Sequence, residues 1–408
     1  MKILVVTEHF WPENFRINDL VSGLCARGHE ITVLTGWPNY PGGEIFTEFS
    51  AAPENFSRYA AAKIVRVPII PRGTRSWKLL LNYLSFVLSA STLGVWRLRR
   101  QKFDVIFVFE PSPVTVGLPA ALLRRLKRAP VAFWVLDLWP ETLSAIGVVR
   151  SRLGLAMVGK LVSFIYRHCD LILAQSKSFI THIARYAPAN TDIRYFPNWA
   201  EVLGAAEQSA PEINRCDGMF SVLFAGNVGQ AQDFPAILAA AEQLRHHPDI
   251  RWLIVGDGRH AAWVREEIER RDLGSTVLML GRFALERMPS FFLHADALLV
   301  SLKSDPIFSM TIPGKVQSYL AAGIPLLGML DGEGARVIEE AGAGLACAAG
   351  DSSALAHAVL KLKAMPLAER KSMGDNGRIY SLREFDRDGL FLQLESWLEQ
   401  LREQQRFV

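Results

Sequence analysis

A lysine placed at the start of a helix is anion chemistry, and Lys315 stands in such a place. It follows Thr311-Ile-Pro313 and Gly314 and precedes a short helical pattern that stops at Gly323 and Pro325. Pro313 suits the first helical turn, where no amide hydrogen is required, and Gly323 suits the left-handed closing position. Val316, Tyr319, Leu320 and Gly323 recur at helical spacing, so that face packs inward. The unpaired N–H groups of Gly314 and Lys315 then point at whatever lies in front, and a diphosphate is a natural occupant. An ordinary, well-capped helix reads equally well from these residues alone.

Acidic candidates lie in the other half. Asp137 ends the apolar run Val131–Leu136 and precedes Trp139-Pro140-Glu141. It is a cleft carboxylate or a turn-capping aspartate. Arg16 and Asn18 follow the first apolar run and face a ligand phosphate or simply open a helix. His9 and His29 read as structural. Asp386-Arg-Asp388 has the spacing of a metal motif but sits among helix-forming charges, and no metal or other cofactor is expected. Cys25, Cys169, Cys216 and Cys347 are widely separated, with no CxxC pair or Cys/His cluster. That argues against structural zinc and a disulfide framework, and for a reducing cytosol.

These residues need a scaffold. The 408 residues exceed one typical core, so two domains are expected. Short apolar runs alternate with helical patterns: Ile3–Val6, Ile31–Leu34, Ile64–Val67, Val105–Phe109, Val131–Leu136 and Leu171–Ala174. A second series follows at Val222–Ala225, Trp252–Val255, Val277–Leu280, Ala297–Ser301 and Pro325–Gly328. The polar stretch Trp199–Gly218 between them reads as a linker. The pattern predicts an α/β protein with two doubly wound, Rossmann-like parallel-sheet domains facing across a cleft. Ligands would sit outside the carboxyl ends of the strands. The boundaries read as 1–200, 201–383 and a C-terminal helix over 384–408. The opening Met1–Val6 meets Glu8 and His9 at once, so it reads as a first strand and not a signal peptide.

Charge is uneven. Residues 1–200 carry 24 Lys and Arg against 13 Asp and Glu, and residues 201–408 carry 21 against 28. A half with net +11 suits an anionic partner such as phospholipid headgroups or phosphorylated substrates, and no nucleic-acid module is present. Residues 79–96 lack charge and approach the length of a membrane span, but Asn82, Ser85, Ser89, Ser91 and Thr92 make the run polar. A buried helix is expected there, and a helix lying on a membrane surface is the alternative. Leu122–Arg128 adds a basic amphipathic patch.

Phe224-Ala-Gly-Asn-Val-Gly229 and Ile254-Val-Gly-Asp-Gly258 are glycine-rich strand exits without a full dinucleotide or P-loop fingerprint. Taken with Arg27-Gly-His-Glu-Ile-Thr-Val-Leu-Thr35, Leu280-Gly-Arg-Phe283 and the Tyr319–Pro325 turn, they make the chain resemble the retaining glycosyltransferases of family four. A closer likeness is to bacterial enzymes that transfer N-acetyl-L-fucosamine or related deoxy sugars in O-antigen and capsule synthesis. It rests on Phe10–Asp19, Thr35–Gly43, Leu136–Glu141 and Pro313–Tyr319.

The resemblance implies a GT-B fold, a nucleotide-sugar donor (a UDP-sugar), a lipid-linked saccharide acceptor and a C-terminal helix crossing back to the first domain. It also implies a cytoplasmic, peripheral place on the inner membrane face. The family's two glutamates are replaced here by Met310 and Ser318. Its two diphosphate cations are replaced by Asn227 and Gln232. Lys315, with Arg282 or Lys303, would then supply the charge. Breaking the sugar C1–O bond builds negative charge on the diphosphate, so preorganised donors matter more than a strong nucleophile. Gly226, Asn227, Gly229, Gly314 and Arg16 are therefore donor candidates. The ribose belongs near Gln317 or Ser318, and the base near Arg282 and Phe283. Asp137 and Lys315 are the catalytic candidates. Asn18, Asn39, Tyr40 and Glu141 are placed on the acceptor side. A nucleotide-sugar 2-epimerase and a non-catalytic partner in glycan assembly are the rival readings.

Overall fold

A computed structural model describes residues 1–73, 76–145, 147–201, 204, 208–213 and 218–406. The chain divides into two compact units. The first comprises Met1–Asn198 with Asp388–Val408, and the second Trp199–Arg387. The stretch read as a linker and Cys216 fall partly or wholly outside the described residues. Cys25, Cys169 and Cys347 are free thiols.

The first unit is built on strands β1 (Lys2–Val6), β2 (Glu30–Gly36), β3 (Arg58–Tyr59), β4 (Ala62–Val67), β5 (Val105–Glu110), β6 (Val131–Val135), β7 (Leu171–Ala174) and β8 (Asp192–Tyr195). Their order is β3-β4-β2-β1-β5-β6-β7-β8, parallel except for the short β3. The second unit holds β9 (Phe220–Ala225), β10 (Ile250–Val255), β11 (Val277–Gly281), β12 (Ala297–Ser301), β13 (Leu326–Met329) and β14 (Gly344–Cys347). Their order is β11-β10-β9-β12-β13-β14, all parallel. All eleven apolar runs seen in the sequence are strands. The runs missed, β3, β8 and β14, are edge strands whose exposed sides need no continuous apolar sequence.

In each sheet the chain reverses its direction of winding once. The reversals fall between β1 and β5 and between β9 and β12. Crevices at such switch points are where open α/β sheets bind ligands.

The helix Arg387–Arg406 packs on the first unit. Arg27 donates to Asp388 and Glu395, His29 Nε2 lies 2.6 Å from Glu395 Oε1, and Trp397 packs its ring on Phe196. Asp388 is thus an ion-pair partner of Arg27.

The run expected as a buried helix is corrected. Ser76–Ser89 is α-helical, continues through a π-turn over Ala90–Gly94 and ends at Leu98. Only a narrow stripe is buried, formed by Asn82, Tyr83, Phe86, Ala90, Gly94 and Leu98, while Trp77, Leu80, Leu84, Leu88 and Trp96 are exposed. Two of the polar residues that argued against a membrane, Asn82 and Ser85, turn toward the chain, while Thr92 is exposed and bonds the Leu88 carbonyl of its own helix. Asn82 Nδ2 donates to the Ile70 carbonyl, and Ser85 Oγ accepts from Ile70 N. Helical periodicity thus leaves a narrow buried stripe anchored by Asn82 and a broad apolar outer face. By length and composition, 77–98 is able to cross a membrane.

Candidate active site

The exits of β9, β10 and β11 interlock. Gly226 N donates to the Val255 carbonyl at 2.8 Å, Gly256 N to Gly281 at 2.7 Å, and Val228 N to Asp257 at 2.9 Å. A Cβ at Gly256 would lie 1.8 Å from the Gly226 carbonyl oxygen, so only glycine lets these loops meet. Gly229 N donates to Gln232 Oε1, which closes the loop, and Asn227 is exposed at its tip.

The helix Gly314–Ala322 begins beside this loop. Pro313 is its N-cap, with extended backbone, rather than a residue of the first turn; Gly323 closes it at φ 72° as its position predicts. The buried Tyr319 bolts the helix to the strand. Its hydroxyl accepts from Ala225 N at 2.9 Å and donates to Ala225 O at 3.0 Å.

This fastening places Lys315 under Gly226. Its Nζ lies 3.5 Å from the Phe224 ring centroid and is sealed from solvent without a hydrogen-bond partner. A Cβ on Gly226, whose φ is 135°, would sit 3.0 Å from that nitrogen. Burial pulls the Lys315 ammonium down to about 7, because a charge removed from water without a partner is costly. The sequence thus placed Gly226, Asn227, Gly229, Gly314 and Lys315 in one neighbourhood, and the structure brings them there. Ser318 is half-buried and Gln317 buried on the same helix. Arg282 is exposed past β11, and Phe283 packs on Phe291 with Arg287 over its ring.

In the first unit the corresponding switch point is acidic. Glu8 leaves β1 and Glu110 ends β5; both are buried. Neither oxygen of Glu8 has a partner, and burial pushes it up to about 7, against the opposing pull of His9 and Arg72. Glu110 accepts from Asp137 N at 3.3 Å through one oxygen and leaves the other unpartnered. Burial and then the Asp137 charge push it well above the usual carboxylate range and favour its protonated form.

Asp137 is half-buried, and both of its oxygens are occupied. Oδ2 accepts from Trp139 Nε1 at 3.1 Å and Oδ1 from Thr142 Oγ1. The residue therefore fastens the turn into the helix Glu141–Ala145 while standing 3.3 Å from Glu110. Glu141 reaches toward His182 Nδ1 with one oxygen, at 3.4 Å; its other oxygen is sealed without a partner.

The remaining candidates frame the β1 exit. Glu13, which the sequence reading passed over, accepts from the backbone of Phe10, Asn39 and Tyr40 and lies 3.2 Å from His9 Nδ1. Asn18 donates to the Glu13 carbonyl and accepts from Trp11 N, so its amide holds the loop. Asn39 is fully buried and accepts from Arg72 N. Tyr40 is half-exposed, tilted on His9 and Phe15 under the Arg72 guanidinium. Arg16 opens the helix Arg16–Ala26. The signal that could have found Glu8 and Glu110 is their position. A carboxylate ending a wholly apolar strand costs desolvation that packing alone does not return. Among the described residues no group of three His, Cys, Asp or Glu side chains is placed to hold a metal ion.

Two parallel-sheet α/β units in succession, each with a switch-point exit of this kind, define the GT-B class. A model of the glycosyl transferase 4-like domain matches residues 14–199, and one of the glycosyl transferases group 1 matches residues 207–380. Between them they span most of the chain, which belongs to this glycosyltransferase family. The putative colanic acid biosynthesis glycosyl transferase WcaI of Escherichia coli is 26% identical over 339 residues, covering 79% of this chain and 82% of the relative. Among solved structures, sucrose-phosphate synthase from Thermosynechococcus elongatus superposes with TM-score 0.70 at 17% identity, covering 98% of both chains. HepE of Anabaena, in complex with UDP-glucose, superposes with TM-score 0.64 at 15% identity, covering 98% of this chain and all of that one.

Proposed function

We propose that this glycosyltransferase moves a sugar from a UDP-sugar to a lipid-linked saccharide in the assembly of a bacterial surface polysaccharide, with retention at the anomeric carbon. An N-acetylated deoxyhexose such as N-acetyl-L-fucosamine is the sugar proposed, on the likeness of Phe10–Asp19 and Pro313–Tyr319 to such enzymes. The WcaI relative supports the polysaccharide setting, and HepE supports the UDP-sugar.

The observation that carries the reading is the unpartnered Lys315 ammonium sealed under Gly226 at a helix start. A diphosphate there would meet backbone N–H groups and one full positive charge. The charge that develops as the C1–O bond breaks would be stabilised without a metal. The acceptor is assigned to the first unit, with Asp137 beside the transferred sugar. The exposed face of Trp77, Leu84, Leu88 and Trp96, together with the basic excess of that half, supports peripheral attachment to the inner face of the cytoplasmic membrane.

Calorimetry with UDP and with uridine tests the donor site. Losing a charged hydrogen bond costs about 1.5–3 kcal/mol, or roughly ten- to a hundredfold in affinity. Lys315→Ala is expected to weaken UDP by that factor and uridine far less. Equal weakening of both would reassign Lys315 to helix support. Incubating a panel of UDP-sugars with and without a lipid-linked acceptor then identifies the transferred sugar, and the anomeric configuration of the product reports retention.

A further inference from the structure

A pocket of about 730 Å³ lies wholly within the first unit, at the carboxyl end of β6. Pro140 and Glu141, three and four residues beyond Asp137, form one wall. Leu155, Lys160, Phe164 and Arg167 form another. The second wall belongs to the helix Arg152–Tyr166 and its C-cap Arg167, a helix that is apolar on its buried face and partly apolar on its exposed one. Gly159, Val162, Ile165 and Tyr166 are buried. On the opposite face, at helical spacing, stand Leu153, Met157, Lys160, Phe164 and Arg167, and Leu153 and Met157 are 73% and 65% exposed. Three large apolar side chains thus flank two cations that have no carboxylate partner among the described residues. Lys160, Phe164 and Arg167 line the pocket, and Leu153 and Met157 continue the same helix face beyond it, which marks a site for a molecule that is both apolar and anionic. The Glu141 oxygen left sealed and unpartnered gives a hydroxyl donor something to bind.

We propose that this pocket takes a lipid phosphate. The apolar chain would run over Leu153, Met157 and Phe164, the phosphate or diphosphate would sit between Lys160 and Arg167, and the attached sugar would reach Glu141. That this lipid is the acceptor rests on the transferase reading above; that it binds here does not. Charge complementarity selects the occupant, since a neutral lipid would leave both cations unpaired and a free phosphate would leave the apolar stripe in water.

Calorimetry with farnesyl diphosphate, below its aggregation concentration, is the test. Saturating UDP is kept present so that the second unit's anion site is filled. Binding is expected, and farnesol and inorganic pyrophosphate should each bind at least tenfold more weakly. The double variant Lys160→Glu/Arg167→Glu changes only exposed side chains and should lose at least tenfold. Ala156→Trp, which fills the pocket from the same helix, should do likewise. Pyrophosphate binding as tightly as farnesyl diphosphate would reduce the site to a phosphate site. Farnesol binding as tightly would reduce it to a greasy surface, and an unaffected Ala156→Trp would move it elsewhere; each result overturns the proposal. A protein that shows the expected pattern but transfers no sugar keeps the lipid site and loses the transferase reading. One that transfers sugar without the pattern does the reverse.

Discussion

The two switch points occupy the same place in two similar sheets and are opposite in charge. At the exits of β1 and β5 stand Glu8 and Glu110, carboxyl groups whose burial favours the protonated form. At the exit of β9 stands Lys315, an amine whose burial favours the neutral form. In both, burial holds a group against its preferred charge with at least one polar atom left unpartnered, which is how functional sites are tuned. The difference suits the two exits to different ligands. The amine can gain an anion and become fully charged. The carboxyl groups can give or accept hydrogen bonds with hydroxyls, as a sugar acceptor requires. Net charge divides differently, since the half with the acidic switch point is the basic one, at +11. Apart from the buried Arg66, much of this charge is at the surface, where exposed Arg99 and Arg125 accompany Trp96, Leu122 and Leu126.

The comparison is most sharply broken at Asp137. If this carboxylate faces the transferred sugar, Asp137→Asn keeps its bonds to Trp139 and Thr142 largely in place but removes charge. Removing an electrostatic group aimed at a developing charge costs roughly a hundredfold or more in turnover. UDP affinity and the melting temperature should persist. Near-normal turnover would leave Asp137 as a turn cap and confine the chemistry to the second unit.

Glu8 tests whether the acidic site is held at a cost. Its folded value of about 7 is above that of an unfolded glutamate, so between about pH 4.5 and 7 the folded state binds the extra proton. The stabilisation is full below that window and is lost as pH rises through it. Glu8→Gln should therefore raise stability at pH 8, by on the order of 3 kcal/mol at most, and change little at pH 4.5. Urea unfolding at the two pH values checks this, and an equal effect at both would show that Glu8 finds a partner when ionised.

Lys315 runs the other way. Above pH 7 the empty site holds mostly neutral amine, so UDP must bring a proton with it. Affinity should fall by up to about tenfold per pH unit from pH 7.5 to 9. Lys315→Arg, whose guanidinium stays charged throughout, should flatten the profile. A flat profile in the unaltered protein would mean that the diphosphate rests on backbone amides alone.

The smallest effect expected is at the surface. Anionic lipid attracts a basic residue near it by about 1 kcal/mol, so sedimentation with anionic vesicles should decline as salt rises. The doubly substituted Leu84→Ser/Leu88→Ser should bind less at every salt concentration, since it removes exposed apolar area and no charge. Equal binding to neutral vesicles would leave only the apolar face in play.

Much of this architecture is legible in the chain. Buried parallel strands must be apolar on both faces, so β1, β5, β9 and β12 announce themselves as unbroken runs, and the order of runs fixes two successive domains. The helix start at Gly314 and Lys315 is written in local chemistry, by a proline before it and a left-handed glycine after it. Tertiary structure alone decided the rest, because burial is a property of neighbours. No local pattern tells that Lys315 lies under Gly226, since that depends on Tyr319 reaching Ala225, ninety-four residues away. Nor does a pattern tell that Glu8 and Glu110 leave neighbouring strands at one switch point, which follows from β5 pairing with β1. The helix from residue 76 shows the same limit. Its composition settled that it is long and apolar, but only the packing of Asn82 and Ser85 against Ile70 decided which face looks out.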